Sequence, residues 1–303
     1  MEQEALRTLQ MWLEKVDQCW LHRGESLEGL EPKCWSDQLH KTQKKRQITP
    51  LKAETRVLSL DQTTPKTLLT KIEHHHLYQQ QGRVFEEAWQ EWIQLVYAKE
   101  RGLWEIVSLA GEQPLQGKAT SQLVQLAIIE PAEKVMISRY RPDEAISYAE
   151  TYWNTYNSDY LYFSVNDCTN FVSQSLLAGG FPMEFSRNQN RGWWYRRSGK
   201  KHTWSYSWAV AHSLYNYLHQ KSTGRQLVRQ MSSPFELQLG DVICYDWEGD
   251  GRWDHNVIIT MKDAEGAPLV NAHTNNSRRR YWEYTDSAAW TPQTQYAFFH
   301  IVR

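Results

Sequence analysis

The chain has 303 residues, and its 34 Lys+Arg against 35 Asp+Glu leave a formal net charge of −1. With 41% hydrophobic and 23% charged residues, it reads as a soluble globular protein of one large or two ordinary domains. The near-neutral balance offers nucleic acid and anionic membranes no electrostatic grip, and four cysteines without a CxxC pair argue against a zinc ribbon or a disulfide framework.

The N-terminus, MEQEALRTLQMWLEKVDQ, carries acidic residues from its start and no long apolar core. It does not read as a secretory signal, and no stretch is long enough to span a bilayer. The expectation is a cytoplasmic start, with cell-wall or spore association only by another route. Residues 4–20 predict an amphipathic helix with Leu6, Leu9, Trp12, Leu13 and Val16 on one face. From Gly24 to about Pro50 the chain is polar and reads as irregular. Strand-like runs follow at KAETRVLSL, KTLLTKIEHHHLYQ, AWQEWIQLVYAKE and GLWEIVSLAG, separated by turn-forming gaps such as DQTTP and ERG. A helix followed by a meander predicts a small α+β domain over residues 1–114, shaped like an NTF2-like or cystatin-like cone. Alternation puts His74 and His76 on one strand face. No third ligand with suitable spacing stands nearby, so the reading is a polar strand face and no metal. Residues 115–142 read as a linker, with a helix at SQLVQLAII.

The second unit, residues 143–303, opens with a helix at DEAISYAETYWNTYN. The next helix lies in FSVNDCTNFVSQSLLAGG, with Asn166 or Asp167 as N-cap and Gly179-Gly180 as its stop. Cys168 then falls in the first turn, where aligned peptide dipoles favour a thiolate. A cysteine so placed is a nucleophile or a small apolar filler. Beyond it the chain is aromatic, as in WWYRR and HTWSYSWA. Trp193, Trp194, Tyr195, Trp204 and Trp208 are candidates for a substrate-groove wall. A helix predicted at about 204–219 would put Trp204 and Trp208 one turn apart, where core contacts are an equal reading. VICYDW predicts a buried strand that makes Cys244 a core residue. The run from Asp246 to Asp254 resembles the start of a calcium loop, but Val257 stands where that loop needs its glutamate. It reads as a hairpin turn delivering His255, with Asp254 placed to tune the histidine or touch substrate.

A cysteine nucleophile needs a base, and the base an orienting partner. His255 opens the alternating strand WDHNVIITM, sharing its face with Val257, Ile259 and Met261. The next strand, LVNAHTNN, carries Leu269, Asn271 and His273 on one face. If the hairpin loop is Lys262–Gly266, Met261 pairs with Ala267 and His255 falls opposite His273, with Cβ atoms about 5 Å apart. A slip of two residues brings Asn271 there instead. The reading is a Cys168–His255–His273 triad with Asn271 as the alternative third member. The Cys168 N–H is expected in an oxyanion hole, whose second donor the sequence does not identify. Cys19, Cys34 and Cys244 lack such surroundings.

The runs NDCTNFVSQSLLAGG, GDVICYDWEGDGRWDHNVIIT and VNAHTNN resemble the bacterial "putative amidase domain" family, related to the papain-like NlpC and CHAP cell-wall hydrolases. The resemblance covers roughly residues 143–303. It implies a papain-like α+β domain, with Cys168 as nucleophile, His255 as base and His273 as orienting residue. It further implies cleavage of peptide or amide bonds in peptidoglycan-derived substrates, without a cofactor. The other class to weigh is a non-catalytic peptide- or glycan-binding module on the same fold.

Overall fold

The computed structural model describes residues 2–21, 33–108, 140–224 and 227–303. The helix predicted at SQLVQLAII, and most of the predicted linker, lie outside the described residues. The architecture is α+β, with six helices among the described residues and one large antiparallel sheet.

Helix α1 (Glu2–Leu21) is amphipathic as expected and buries Ala5, Leu9, Val16 and Trp20, while Leu6 of the predicted face is exposed. A second helix, α2 (Lys33–Arg46), stands where an irregular segment was expected. Its pattern is too polar to announce a helix, and long-range contacts hold it instead. Gln43 Nε2 donates to the Trp20 carbonyl at 3.0 Å, and the Arg46 guanidinium is buried against Glu87. The four strand runs become β1 (Thr49–Thr64), β2 (Thr67–Gln80), β3 (Arg83–Ala98) and β4 (Leu103–Ser108). His74 and His76 share a face, as alternation requires, but that face is buried rather than solvated. His76 stacks on Trp20 of α1 at 3.9 Å between ring centroids.

Past the undescribed stretch come α3 (Pro142–Tyr152), α4 (Cys168–Ala178) and a two-stranded ribbon, β5 (Tyr195–Ser198) with β6 (Lys201–Trp204). The helix predicted at 204–219 is two pieces, α5 (Tyr206–Ala209) and α6 (Ala211–Gly224), with extended backbone at Val210 between them. Five strands follow: β7 (Val228–Met231), β8 (Val242–Asp246), β9 (His255–Lys262), β10 (Pro268–Ala272) and β11 (Ser277–Tyr281), and β12 (Gln295–Ile301) closes the chain.

The main sheet runs β1-β2-β3-β11-β10-β9-β8-β12-β7, with β4 on β3. Strands from both halves of the chain therefore share one sheet, joined where Ser277 pairs with Trp89. Alternation along β8 sends Val242 and Cys244 toward α3, α4 and α6, and Ile243 and Tyr245 to the opposite face, whose core includes α1 and α2. Helix α4 is buried from Cys168 through Leu176. Its Phe171, Val172 and Leu176 each contribute about 1.5–3 kcal/mol by leaving water. Gly180, at φ +82°, ends it as predicted. A Cβ at Gly179 would stand 2.6 Å from the Tyr140 ring, so only glycine fits there.

Candidate functional site

Cys168 is the first residue of α4, and Asp167 holds the N-cap position. Asp167 makes no side-chain cap bond, because its carboxylate is engaged elsewhere. Oδ1 accepts from the Phe163 N–H (3.1 Å) and Asn170 Nδ2 (2.8 Å), and Oδ2 lies 2.6 Å from His273 Nδ1. The other nitrogen of His273 donates to the Tyr152 carbonyl at 2.7 Å. Each ring nitrogen thus faces an acceptor. The buried contact between His273 and Asp167 bolts the β10 end to the start of α4.

This arrangement replaces the predicted role of His273. The β9–β10 loop is Asp263–Ala267, one residue later than expected, with Lys262 opposite Pro268. A register shift between Leu269 and Val270 then ends the pairing at Asn271 opposite Ile258. His273 never comes opposite His255. Asn271 is fully buried and also occupied: Oδ1 accepts from Thr260 and the Arg279 N–H, while Nδ2 donates to the Ala149 carbonyl and to Glu150. Neither predicted third residue orients His255.

His255 is the first residue of β9, on the face of Val257 and Ile259. Tyr245, Trp247 and Tyr284 surround it at ring-centroid distances of 5.7, 5.8 and 5.7 Å. Its Nε2 is buried with no hydrogen-bond partner among the described residues. Burial, aided by the Arg280 charge, holds its pKa down to about 3. The guanidinium of Arg280 is itself buried over Tyr284 and tied to Asp286 at 3.2 Å.

The next residue, Asn256, turns to the α4 side and donates from Nδ2 to Thr169 Oγ1 at 2.9 Å. Thr169 Oγ1 lies 3.7 Å from Cys168 Sγ. Burial pushes the Cys168 thiol above its ordinary pKa, opposed by hydrogen bonds from the Asn256 backbone N–H and the Thr169 and Thr274 hydroxyls. The Cys168 N–H, expected to be free for an oxyanion, donates to Thr274 Oγ1 at 3.3 Å. Sequence reasoning missed Thr169, Asn256 and Thr274. The only signal available was their adjacency to Cys168, His255 and His273.

Cys168 and His255 line one open cleft of about 630 Å³. Trp247, Trp253, Glu248, Asp254, Arg280 and Tyr284 also line it. Asp254 was expected near the histidine and is there; burial and the carboxylates of Glu248, Asp246 and Asp250 raise its pKa. The carboxylates of Asp246, Glu248 and Asp254 approach within 4.8 Å of one another. Asp246 spends its oxygens on the N–H groups of Gly249, Asp250 and Gly251, which makes this acidic group the knot of the predicted hairpin turn. The tryptophans expected in a groove wall do not line this cleft. Trp193, Trp194 and Trp208 are buried, and Trp204 ends β6 instead of sharing a helix with Trp208. The indole N–H groups of Trp193 and Trp208 donate to Ser173 and Asn170 of α4, which makes them supports of the cysteine helix.

The buried imidazoles carry an expectation for stability. His76 has both nitrogens buried without partners, and burial, then the charges of His74, His75 and Arg280, hold its pKa well below the usual value. Unfolded, both His76 and His255 bind a proton near pH 6.5; folded, His255 waits until about 3. The unfolded state therefore holds more protons as pH falls through this window, and stability drops by ~1.4 kcal/mol per pH unit for each imidazole. Calorimetry between about pH 6.5 and pH 5, above the usual carboxylate titrations, is expected to show this slope. His76→Phe is expected to remove one imidazole's share, and an unchanged slope would count against the buried neutral state.

Residues 139–299 match the family model described as "Putative amidase domain". The chain is 54% identical over 158 residues to uncharacterized protein YhbB of Bacillus subtilis strain 168, covering 52% of this chain and 49% of that protein. It is 30% identical over 158 residues to uncharacterized protein YjcM of the same organism, covering 50% of this chain and 35% of that one. The matched stretch thus spans about half of one relative and about a third of the other. No solved structure matches the chain.

Proposed function

The chain belongs to the putative amidase domain family, and from that premise we propose that it is a cysteine-dependent hydrolase of peptide or amide bonds, acting on bacterial cell-wall peptides. The observation that carries the reading is the shared cleft: the first residue of α4, Cys168, and the first residue of β9, His255, line it together. Its volume falls within the range of small-molecule and peptide-side-chain sites. Aromatic walls beside Glu248, Asp254 and Arg280 suit a polar backbone flanked by apolar groups.

Burial raises the thiol and lowers the imidazole, so the resting cleft holds a neutral thiol and a neutral base. In the proposed reaction His255 takes the thiol proton as sulfur attacks the carbonyl carbon, then gives it to the leaving nitrogen. Water then attacks the thioester carbon as His255 takes its proton, the C–S bond breaks, the proton passes to the sulfur and the acid is released. The wall substrate rests on the likeness of the DCTNFVSQ and WDHN runs to cell-wall hydrolases.

The orphaned Nε2 of His255 favours a second reading, a peptide- or glycan-binding module without turnover. One assay separates them. Purified wall peptides incubated with the full chain are expected to yield products heavier in sum by one water, read by mass spectrometry. Retention of intact peptide by the protein, with no cleavage, would select the binding module.

A further inference from the structure

Thr274 is the least comfortable residue near the nucleophile. It lies at φ +81°, in the left-handed region, where a β-branched side chain is strained. Such strain persists only where surrounding contacts enforce it, and it gathers at functional sites. Here the contacts are two successive backbone donors, the N–H of Asp167 at 3.2 Å and that of Cys168 at 3.3 Å, both aimed at Thr274 Oγ1. The preceding residue, His273, is fixed by its buried hydrogen bond to Asp167, so the loop cannot simply relax away.

A hydroxyl has two lone pairs and one proton. With both lone pairs of Thr274 facing N–H groups, its proton has no claim from that side; Thr274 lines the same cleft as Cys168 and His255, and its hydroxyl works against the rise of the Cys168 thiol pKa. Donors that converge on one oxygen polarise its O–H and make it a stronger donor in turn. Thr169 is arranged the same way: Asn256 Nδ2 occupies its oxygen, leaving its proton for the sulfur.

We propose that Thr274 is a further catalytic residue, whose hydroxyl follows the negative charge of the reaction from the Cys168 sulfur to the substrate carbonyl oxygen. The proposal rests on the cysteine-hydrolase reading above. As the sulfur lone pair forms the S–C bond, the carbonyl π pair moves to oxygen and the thiol proton is held on His255. The new oxyanion lies one bond beyond the carbon attached to sulfur, so the Thr274 O–H turns to it without surrendering its own two N–H donors. When the oxyanion collapses, the C–N bond breaks, its electron pair leaves on nitrogen, and His255 supplies the proton. The helix N-terminus then acts through Thr274 rather than through a free Cys168 N–H. Thr274 thus takes the place that the sequence assigned to the Cys168 N–H in the oxyanion hole.

The test is the rate of Cys168 alkylation by iodoacetamide in the full chain, from about pH 6 to about pH 11 to span a shifted thiol. Thr274→Val keeps the shape and removes the hydroxyl. It is expected to move the alkylation midpoint up by about one pH unit, a tenfold loss of thiolate at neutral pH, and to lower wall-peptide turnover about 10²–10³-fold. Thr274→Ser is expected to restore both. Thr274→Gly, which carries no hydroxyl and no strain at this φ, gives the same reading should the valine variant not fold. An alkylation profile of the hydroxyl-free variants that superimposes on the wild type overturns the proposal. A Thr274-dependent profile in a wild-type chain that cleaves no wall peptide would support the sulfur contact and sink the hydrolase reading alone.

Discussion

Cys168→Ala is expected to abolish release of new termini from wall peptides, by at least about 10³-fold, while the protein stays folded. The stability cost is small because the exchanged atom is one sulfur in a buried site, at about 1 kcal/mol for the hydrogen bonds it leaves unmade. His255→Ala is expected to lower turnover comparably, because a thiol pushed up by burial has little thiolate of its own near neutral pH. The two variants differ in a second readout. Cys168→Ala removes the alkylation site, whereas His255→Ala keeps it. If Cys168→Ala leaves the biological effect of the protein intact, the binding module is the correct reading. If both variants lose turnover and keep their melting temperature, the cleft is catalytic. The melting control matters because α4 is buried along most of its length, and a variant that loosened it would lose activity for the wrong reason.

The elements that position the cleft were legible wherever a local rule decided them. The N-cap, the apolar spacing of Phe171, Val172 and Leu176, and the glycine stop placed α4 and put Cys168 at its start. Alternation placed β9 and gave His255 its opening position. What the sequence could not carry was decided by contacts between distant segments. A β9–β10 turn set one residue later than expected, and a shift at Leu269–Val270, moved His273 out of the predicted pairing. A carboxylate more than a hundred residues earlier then claimed it. The tryptophans failed for a related reason. Their aromatic, polar surroundings suggested a groove, but α4 offers hydroxyl and amide partners for two indole N–H groups, and partnered indoles bury readily. Helix α2 was missed because an almost wholly polar run gives no period to read. Its support comes from Trp20 and Glu87, neither of which is local.

His273→Ala is expected to cost about 1–3 kcal/mol of unfolding free energy, because it leaves the buried Asp167 carboxylate short of a hydrogen-bond partner. Asp167 is 3% exposed, and without the imidazole its carboxylate keeps only the Phe163 N–H and Asn170 Nδ2. The Tyr152 carbonyl is left with the Thr155 N–H alone, at 3.3 Å. Turnover of the folded fraction is expected to fall too, because the Asp167 and Cys168 N–H groups that meet Thr274 depend on the same anchor. Had His273 served only to orient His255, the substitution would lower turnover with stability almost unchanged, so urea unfolding separates the two roles. A double-mutant cycle sharpens the comparison. Asp167→Asn should be costly alone, yet add little once His273 is already alanine, since the hydrogen bond it would disturb is already gone. A coupling of about 2 kcal/mol or more between the two positions is the expected result. Additive single effects, each within about 0.5 kcal/mol of zero, would show that the pair does not hold the start of α4.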